Sequence, residues 1–243
     1  MTRTLLSTER AQQAVGRLAW AAAWAGLVLG QLHALARHNT VDGRGDLRQP
    51  LTRWWSDPAR QLLRPLLDWA DPDTVYLTYG KIWLPVFLAF TLCAVVVYRR
   101  RRPTGWERLV WRVVLAGYAL GCAAVLADYW TQWTSYSRLA DAYFAVLTVP
   151  SLLVMLLGGT VLGVTLLVRG YRPLLPALLL AAQVPLAVGI LAFTSMGSAA
   201  LPTMFAFAVL GRRLALGQPV AGAVRPAAAP RAASPATPRV PSP

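Results

Sequence analysis

Residues 79–102 read YGKIWLPVFLAFTLCAVVVYRRRR. The first 20 of these residues carry a single charged side chain, that of Lys81, and the last four are all arginine. About 20 consecutive apolar residues are enough for an α-helix to cross the hydrocarbon core of a bilayer. A run of basic residues at one end is typical of the cytoplasmic end of such a helix. The stretch therefore predicts a membrane span over 79–98 whose arginine end lies in the cytoplasm.

Five further apolar segments have the same character. Hydrophobic residues make up 56% of the 243 residues, whereas an average soluble domain has ~45–50%. The apolar run 173–211 is too long for one helix and divides at 194–198. Because its second part is short and contains Pro202, a five-span arrangement stays open. The sequence predicts an all-α, polytopic transmembrane helical bundle of about six spans, over 18–36, 79–98, 109–130, 145–168, 174–193 and 198–211.

Basic residues are sorted between two alternating sets of loops. The N-terminus, 99–112, 169–172 and 212–243 hold 16 of the 24 Lys and Arg residues against only Glu9 and Glu107. The other loops, with the adjoining span ends, hold 8 basic residues and 8 aspartates. Basic loops stay on the cytoplasmic side of the membrane. The asymmetry therefore predicts a multi-pass protein of the plasma membrane with both termini in the cytoplasm.

Three segments lie outside the predicted bundle core. Residues 1–17 form a cytoplasmic N-terminal segment, and 37–78 form an external loop. Residues 214–243 are rich in Pro and Ala, which predicts a disordered cytoplasmic tail. Within the loop, 59–70 (ARQLLRPLLDWA) is amphipathic. It lies on the outer membrane surface or packs on the bundle, and the sequence favours neither alternative.

The first span has one alternative interpretation as a cleaved signal peptide, because residues 34–36 read Ala-Leu-Ala. The apolar region of a signal peptide is usually ~7–15 residues, and the apolar run over 18–36 is longer. The length favours an uncleaved membrane anchor.

Three spans contain pairs of glycines separated by three residues. Small residues one turn apart allow two helix backbones to approach closely in lipid. The pattern predicts helix packing, inside one bundle by preference or between two copies of the chain as the alternative. The glycines concerned are Gly26 and Gly30, Gly117 and Gly121, and Gly159 and Gly163.

Polar residues inside the spans are few, and His33 and Asp128 are the two ionisable ones of interest. Both fall near the predicted outer ends of their spans and could pair if the first and third spans are neighbours. Such groups usually face the bundle interior or a wet cavity, which makes them weak candidates for catalysis. Gln183, with Pro185 beside it, is predicted to bond a neighbouring helix in a span kinked by the proline.

The chain has no sequence motif for a metal, a cofactor or a catalytic nucleophile. Neither a metal site nor a bound cofactor is therefore predicted, and the chain is interpreted as non-enzymatic. The charge sorting explains the basic residues without nucleic acid, so the predicted partners are the lipid bilayer and another membrane protein or a second copy. The first hypothesis is a membrane scaffold, accessory subunit or sensor. The alternative is a small intramembrane enzyme or transporter that uses His33 and Asp128.

Overall fold

The computed structural model describes residues 8–134, 139–194 and 196–220, and within them every regular element is a helix. This confirms the all-α prediction. The α-helices are α1 (Glu9–Arg37), α2 (Pro50–Leu62), α3 (Arg64–Leu67), α4 (Pro72–Gly80), α5 (Trp83–Arg101), α6 (Gly105–Val125), α7 (Ala140–Tyr143), α8 (Val149–Leu153), α9 (Gly159–Val168), α10 (Leu174–Ala181), α11 (Gln183–Leu191) and α12 (Leu201–Ala215). Short 3₁₀ turns occupy Asp42–Arg48 and Met196–Ala200, and π-helical turns occupy Leu126–Trp130, Phe144–Thr148 and Val154–Gly158.

Four continuous helical segments are long and apolar enough to cross a membrane. They are Glu9–Arg37, Pro72–Arg101, Gly105–Trp130 and Ala140–Val168. Helices α10 and α11 make a fifth candidate span, bent by 62° at the break between them. The break follows from Pro185, which has no N–H to donate to the carbonyl of Ala181. Length and apolar character are those of an integral membrane protein.

Helix α12 is too short to count among these candidates. Its 15 residues are about 22 Å long, whereas the hydrocarbon core of a bilayer is ~30 Å thick. The 3₁₀ turn Met196–Ala200 precedes it directly, so the helical segment begins two residues before the predicted span 198–211 and ends four residues after it. The sixth span stays a prediction.

The core of the bundle is built around α1, which packs lengthwise on α12 and also contacts α4 and α5. Gly16 and Gly211 bring α1 and α12 into backbone contact, since a Cβ added to Gly211 would lie 2.8 Å from the Gly16 carbonyl oxygen. Four large aromatic side chains fill the interior between α5, α6 and α12. These buried rings belong to Phe90, Trp111, Tyr118 and Phe207.

The six predicted packing glycines face other helices of the same chain. Gly163 is the tightest, because a Cβ there would overlap the backbone nitrogen of Ala181 on α10. Gly159 is the loosest, with its nearest neighbour, Cγ of Gln183, at 3.7 Å from such a Cβ. The remaining four meet side chains: Gly26 meets Val86 and Met204, Gly30 meets Trp83, Gly117 meets Val154 and Gly121 meets Phe87.

The amphipathic segment of the 37–78 loop docks on one end of the bundle. Its helix begins at Pro50, nine residues before the predicted segment, and breaks at Leu63 ahead of Pro65. Thr52 donates a hydrogen bond to the carbonyl of Ala192 at 3.2 Å, and the Trp55 indole donates to the carbonyl of Phe193. Trp54, Leu62 and Trp69 are large apolar side chains of this segment that stay exposed.

At the other end of the bundle, Glu107 is buried between two arginines. Arg101 donates to its carboxylate through Nε and through Nη2 at 3.3 Å, and Nη1 of Arg169 lies 3.4 Å from the same group. The Arg101 guanidinium also lies 5.0 Å from the centre of the Tyr171 ring. Tyr171 in turn donates a hydrogen bond to the carbonyl of Val220. These contacts tie the starts of α6 and α10 to the end of the described chain.

The first residues of the predicted tail, which begins at residue 214, pack on the bundle. Helix α12 runs to Ala215, and both Leu214 and Val220 are buried. Residues 221–243, the rest of the predicted tail, and residues 1–7 lie outside the described residues.

Candidate ligand-binding cavity

A cavity of about 620 Å³ opens at the end of the bundle that the charge pattern predicts to be external. Ligand-binding pockets usually measure ~300–1,000 Å³. The end of α1, the junction of α4 and α5, the turn after α6, and α7 with α8 form its walls. The 3₁₀ turn Asp42–Arg48 and the end of α11 complete the rim.

The wall divides into an exposed acidic part and a buried apolar part. Asp42 and Asp141 are exposed, so they mark the rim of the cavity. Buried side chains mark its floor: Trp83, Ala124, Val125, Met155 and Ala200. A cavity of this kind suits a molecule with one polar end and one apolar end.

His33 lies in this wall and is almost completely buried. The indole N–H of Trp83 donates a hydrogen bond to Nδ1 of His33 at 3.2 Å. Because the indole nitrogen can only donate, Nδ1 has to be the unprotonated nitrogen and Nε2 carries the proton. The ring stacks on Tyr76, with centroids 4.5 Å apart, and meets the edge of Tyr129 at 5.2 Å. Tyr76 and Tyr129 are themselves joined through their hydroxyls at 3.2 Å.

The Nε2–H group of His33 has no hydrogen-bond partner among the described residues. A buried donor without a partner costs about 1–3 kcal/mol. Tyr76, Trp83 and Tyr129 form an aromatic cage around the ring. Because Nε2 itself is buried, an acceptor on a bound molecule would satisfy this donor only once the neighbouring side chains yield.

Asp128 reaches the same cavity from the π-helical turn Leu126–Trp130. Its Oδ2 accepts a hydrogen bond from the Thr148 hydroxyl at 2.7 Å. The predicted neighbours His33 and Asp128 thus line one cavity. Within the described part of the chain, neither a hydrogen bond nor an ion pair joins them. Their partners are Trp83 and Thr148 instead.

Acidic residues outnumber basic residues in the described lining of the cavity. Arg37 is the only basic residue of the described lining, and its Nε is paired with Asp46 at 2.9 Å. No basic side chain among the described residues pairs with Asp42, Asp128 or Asp141. The lining therefore favours a positively charged group over a negatively charged one.

His38 lies just beyond the end of α1 and does not line the cavity. It is buried, and neither ring nitrogen has a hydrogen-bond partner among the described residues. Burial lowers the pKa of His38 to about 4, so the ring is neutral at physiological pH. In the described ranges no three His, Cys, Asp or Glu side chains are grouped closely enough to hold a metal ion.

Gln183 makes the hydrogen bonds to a neighbouring segment that its position in an apolar span predicted. Its Nε2 donates to the carbonyl of Ala199 at 3.1 Å, and its Oε1 accepts from the Thr203 hydroxyl at 2.9 Å. Both contacts cross to the segment that begins α12. The prediction that Gln183 bonds a neighbouring helix is confirmed.

Sequence reasoning missed Trp83, Tyr76 and Tyr129 as parts of the site. Aromatic residues near span ends are expected at the membrane interface, so their type gave no sign of a cage around His33. The only signal in the sequence was a histidine inside an apolar span, since a polar ring there needs a donor or acceptor close by.

The fold and the cavity define an all-helical protein of integral-membrane character with a ligand-sized cavity at one end. No family model, no curated protein and no solved structure matches the chain.

Proposed function

We propose that this chain is a six-span protein of the plasma membrane that binds a small amphiphilic molecule in its external cavity. The ligand carries a positive charge and a hydrogen-bond acceptor next to an apolar part. The protein acts as a receptor or sensor rather than as an enzyme. The observation that carries the proposal is the buried, unpartnered Nε2–H of His33 in a cavity with an apolar floor and an acidic rim.

The orientation follows from charge. The arginine-rich ends of the apolar helices are collected at the end opposite the cavity, which supports a cytoplasmic position for that end. A reporter active only in the cytoplasm should work when fused after Arg102 or after Arg213, and one active only outside should work near Gly45. An external signal after Arg213 contradicts the six-span arrangement.

The ligand's charge follows from the lining. Among the described residues Asp42, Asp128 and Asp141 have no basic partner, and Arg37, the one basic residue of the described lining, is already paired with Asp46. A carboxylate or phosphate ligand would meet repulsion from these acids, whereas an ammonium group would be attracted. The acceptor group of the ligand meets the His33 donor, and the apolar part lies against the buried floor.

Binding without transport is favoured by the packing below the cavity. Phe90 lies about two turns along α5 from Trp83, and its ring is buried against Tyr118 and Phe207. This aromatic layer fills the described interior between the cavity and the opposite end. A transport path would have to pass through it.

Catalysis by His33 is disfavoured by its hydrogen bond. A general base needs a free nitrogen lone pair directed at its substrate. Trp83 occupies the lone pair of Nδ1, and Nε2 carries a proton. The ring is arranged to donate a hydrogen bond to a ligand.

The test uses the purified full chain in neutral detergent and three probes: octylammonium, octanol and octanoate. They share an alkyl chain and differ in headgroup charge, so they test the apolar floor and the acidic rim of the cavity; octylammonium has no acceptor, and the hydrogen bond to His33 is not part of this test. We expect octylammonium to raise the melting temperature most and octanoate least. Asp128→Asn keeps the acceptor for Thr148 but removes the charge, and should weaken octylammonium binding about tenfold, or about 1.4 kcal/mol.

Asp68→Asn is the matched control, because Asp68 is on the same loop end but pairs with Arg64 outside the cavity. It should bind octylammonium as the unchanged protein does. Equal weakening in both variants, or no preference among the three headgroups, contradicts the proposed ligand class. No stabilisation by any probe contradicts the proposed function.

A further inference from the structure

A second concave surface lies at the opposite end of the bundle, and four of its six lining residues are arginine. It is a hollow of about 300 Å³ between the end of α5 and the first turns of α6. Arg99 and Arg102 come from α5 and the residue after it, and Arg108 and Arg112 come from one face of α6. All four are exposed at the rim of the hollow.

The charges in this hollow have no acidic partner in the described part of the chain. The nearest acid in sequence is Glu107, which is buried and already bound by Arg101 and Arg169. Arg108 and Arg112 are four residues apart on one helix, a spacing at which like charges repel. A bound anion would relieve the repulsion among the four guanidinium groups.

The backbone between the two helices holds the arginines in place. Arg102 ends α5 in the left-handed conformation, with φ of 50°, and Pro103 follows it. Such a cap followed by proline stops a helix sharply. Nε of Arg108 donates to the carbonyl of Pro103 at 3.0 Å, which leaves its terminal nitrogens free to face a ligand. The backbone turn between α5 and α6 therefore helps to fix the shape of the hollow, which does not depend on the long side chains alone.

The position of the hollow indicates where its ligand comes from. The apolar part of α5 ends at Tyr98, which lines the hollow. Tyrosine next to arginine at the end of an apolar helix is typical of headgroup depth. The planar guanidinium fork matches the oxygens of a phosphate group, with which it forms paired hydrogen bonds.

We infer that this hollow binds the phosphate group of an anionic membrane lipid on the cytoplasmic face. Its ligand and location are independent of the molecule proposed for the external cavity. The shared chemistry is a phosphate ester, which a lipid headgroup supplies within the bilayer and a soluble phosphate ester supplies from the cytoplasm. The lipid is favoured because it is held at the depth of the hollow by its own acyl chains.

The test measures lipid retained by the purified full chain in native mass spectrometry. Phosphatidylglycerol is compared with phosphatidylcholine of the same acyl chains, and glycerol phosphate serves as a soluble competitor. Arg99→Gln with Arg112→Gln takes one guanidinium from each helix. We expect it to reduce phosphatidylglycerol retention at least about tenfold, because two of the guanidinium groups that hydrogen-bond the phosphate are lost.

Arg10→Gln with Arg17→Gln is the matched control, since it removes the same charge from exposed residues of α1 that do not line the hollow. It should retain phosphatidylglycerol as the unchanged protein does. A second variant, Arg102→Asn with Arg108→Gln, repeats the test from the other two arginines, and asparagine tolerates the left-handed conformation at 102.

If glycerol phosphate displaces phosphatidylglycerol, the hollow is a phosphate site whose ligand is a soluble ester. If phosphatidylglycerol stays bound in the presence of glycerol phosphate, the ligand is the lipid. Equal retention in the hollow and control variants overturns the inference. So does equal retention of phosphatidylglycerol and phosphatidylcholine by the unchanged protein.

Discussion

Nε1 of Trp83 donates a hydrogen bond to Nδ1 of His33 at 3.2 Å, between α5 and α1. The bond fixes which nitrogen of the imidazole carries the proton. It leaves a buried Nε2–H donor on a residue that lines the cavity, and the proposed ligand contact depends on that donor.

Trp83→Phe tests this relationship. Phenylalanine keeps a buried ring but removes the indole donor, so Nδ1 loses its partner and the tautomer is no longer fixed. We expect a loss of about 1–3 kcal/mol in the free energy of unfolding. In ¹⁵N NMR of labelled histidine, His33 should be the Nε2–H tautomer in the unchanged protein and a mixture in the variant. Trp54→Phe, at an exposed position, should change neither. An Nδ1–H tautomer in the unchanged protein contradicts the assignment.

Gly163→Ala and Gly159→Ala form a matched pair on α9. A methyl group at 163 would press on the backbone of Leu180, whereas one at 159 has room. Overpacking typically costs about 1–3 kcal/mol, so Gly163→Ala should lower the melting temperature clearly and Gly159→Ala should leave it unchanged or raise it. Similar melting temperatures for the two variants would show that α9 and α10 are not packed as described.

Glu107→Gln tests the buried ionic contact at the arginine-rich end. The change leaves the Arg101 guanidinium, whose side chain is only 12% exposed, without its counter-charge. Removing one partner of a buried pair costs roughly 3–5 kcal/mol. Arg169→Gln should cost much less, since that side chain is 44% exposed and water screens it. Thermal unfolding in neutral detergent measures both, and equal effects would contradict the buried position of Glu107.

The buried position of His38 predicts that the free energy of unfolding depends on pH in a specific way. Burial lowers its pKa to about 4, with Arg60 and Arg37 adding to the effect and Asp46 and Asp57 opposing it. The unfolded chain, with a pKa near ~6.5, takes up the proton first. The stabilising contribution is therefore complete above about pH 6.5 and is lost as the pH falls towards about 4, by about 3 kcal/mol at most.

The measurement for His38 is the melting temperature between pH 7 and pH 4, compared with that of His38→Gln. Other groups titrate in both proteins, so the difference between the two curves isolates this ring. The unchanged protein should lose more stability than the variant as the pH falls. Parallel curves would mean that the ring is not buried as a neutral group.

The helices were predictable from the sequence because apolar length alone defines them. The span predicted over 79–98 lies inside the continuous helical segment Pro72–Arg101. Its earlier start at Pro72 was missed, although Asp71 and Pro72 are a helix-start signal. The Asp71 side chain accepts a hydrogen bond from the Asp73 amide, as that signal implies. The number of spans and the side of each terminus stay predictions.

The cavity could not be predicted because its residues are far apart in the sequence. His33 and Thr148 line one wall, yet the pattern of either span gives no sign that the other is close. Glu107 drew notice only as a rare acid among basic loops, and its burial depends on the packing of three separate segments. Gln183 was predictable, because a lone amide in an apolar helix has to find a partner within the bundle.

The proposed function requires the cavity to be the binding site, and a steric block tests this directly. Ala124 is buried in the cavity wall, whereas its neighbour Ala123 is exposed on the outer face of α6. Phenylalanine at 124 should fill the cavity and weaken octylammonium binding at least about tenfold, a change of about 1.4 kcal/mol. Phenylalanine at 123 should leave the dissociation constant unchanged. Equal dissociation constants for Ala124→Phe and Ala123→Phe would contradict binding in this cavity.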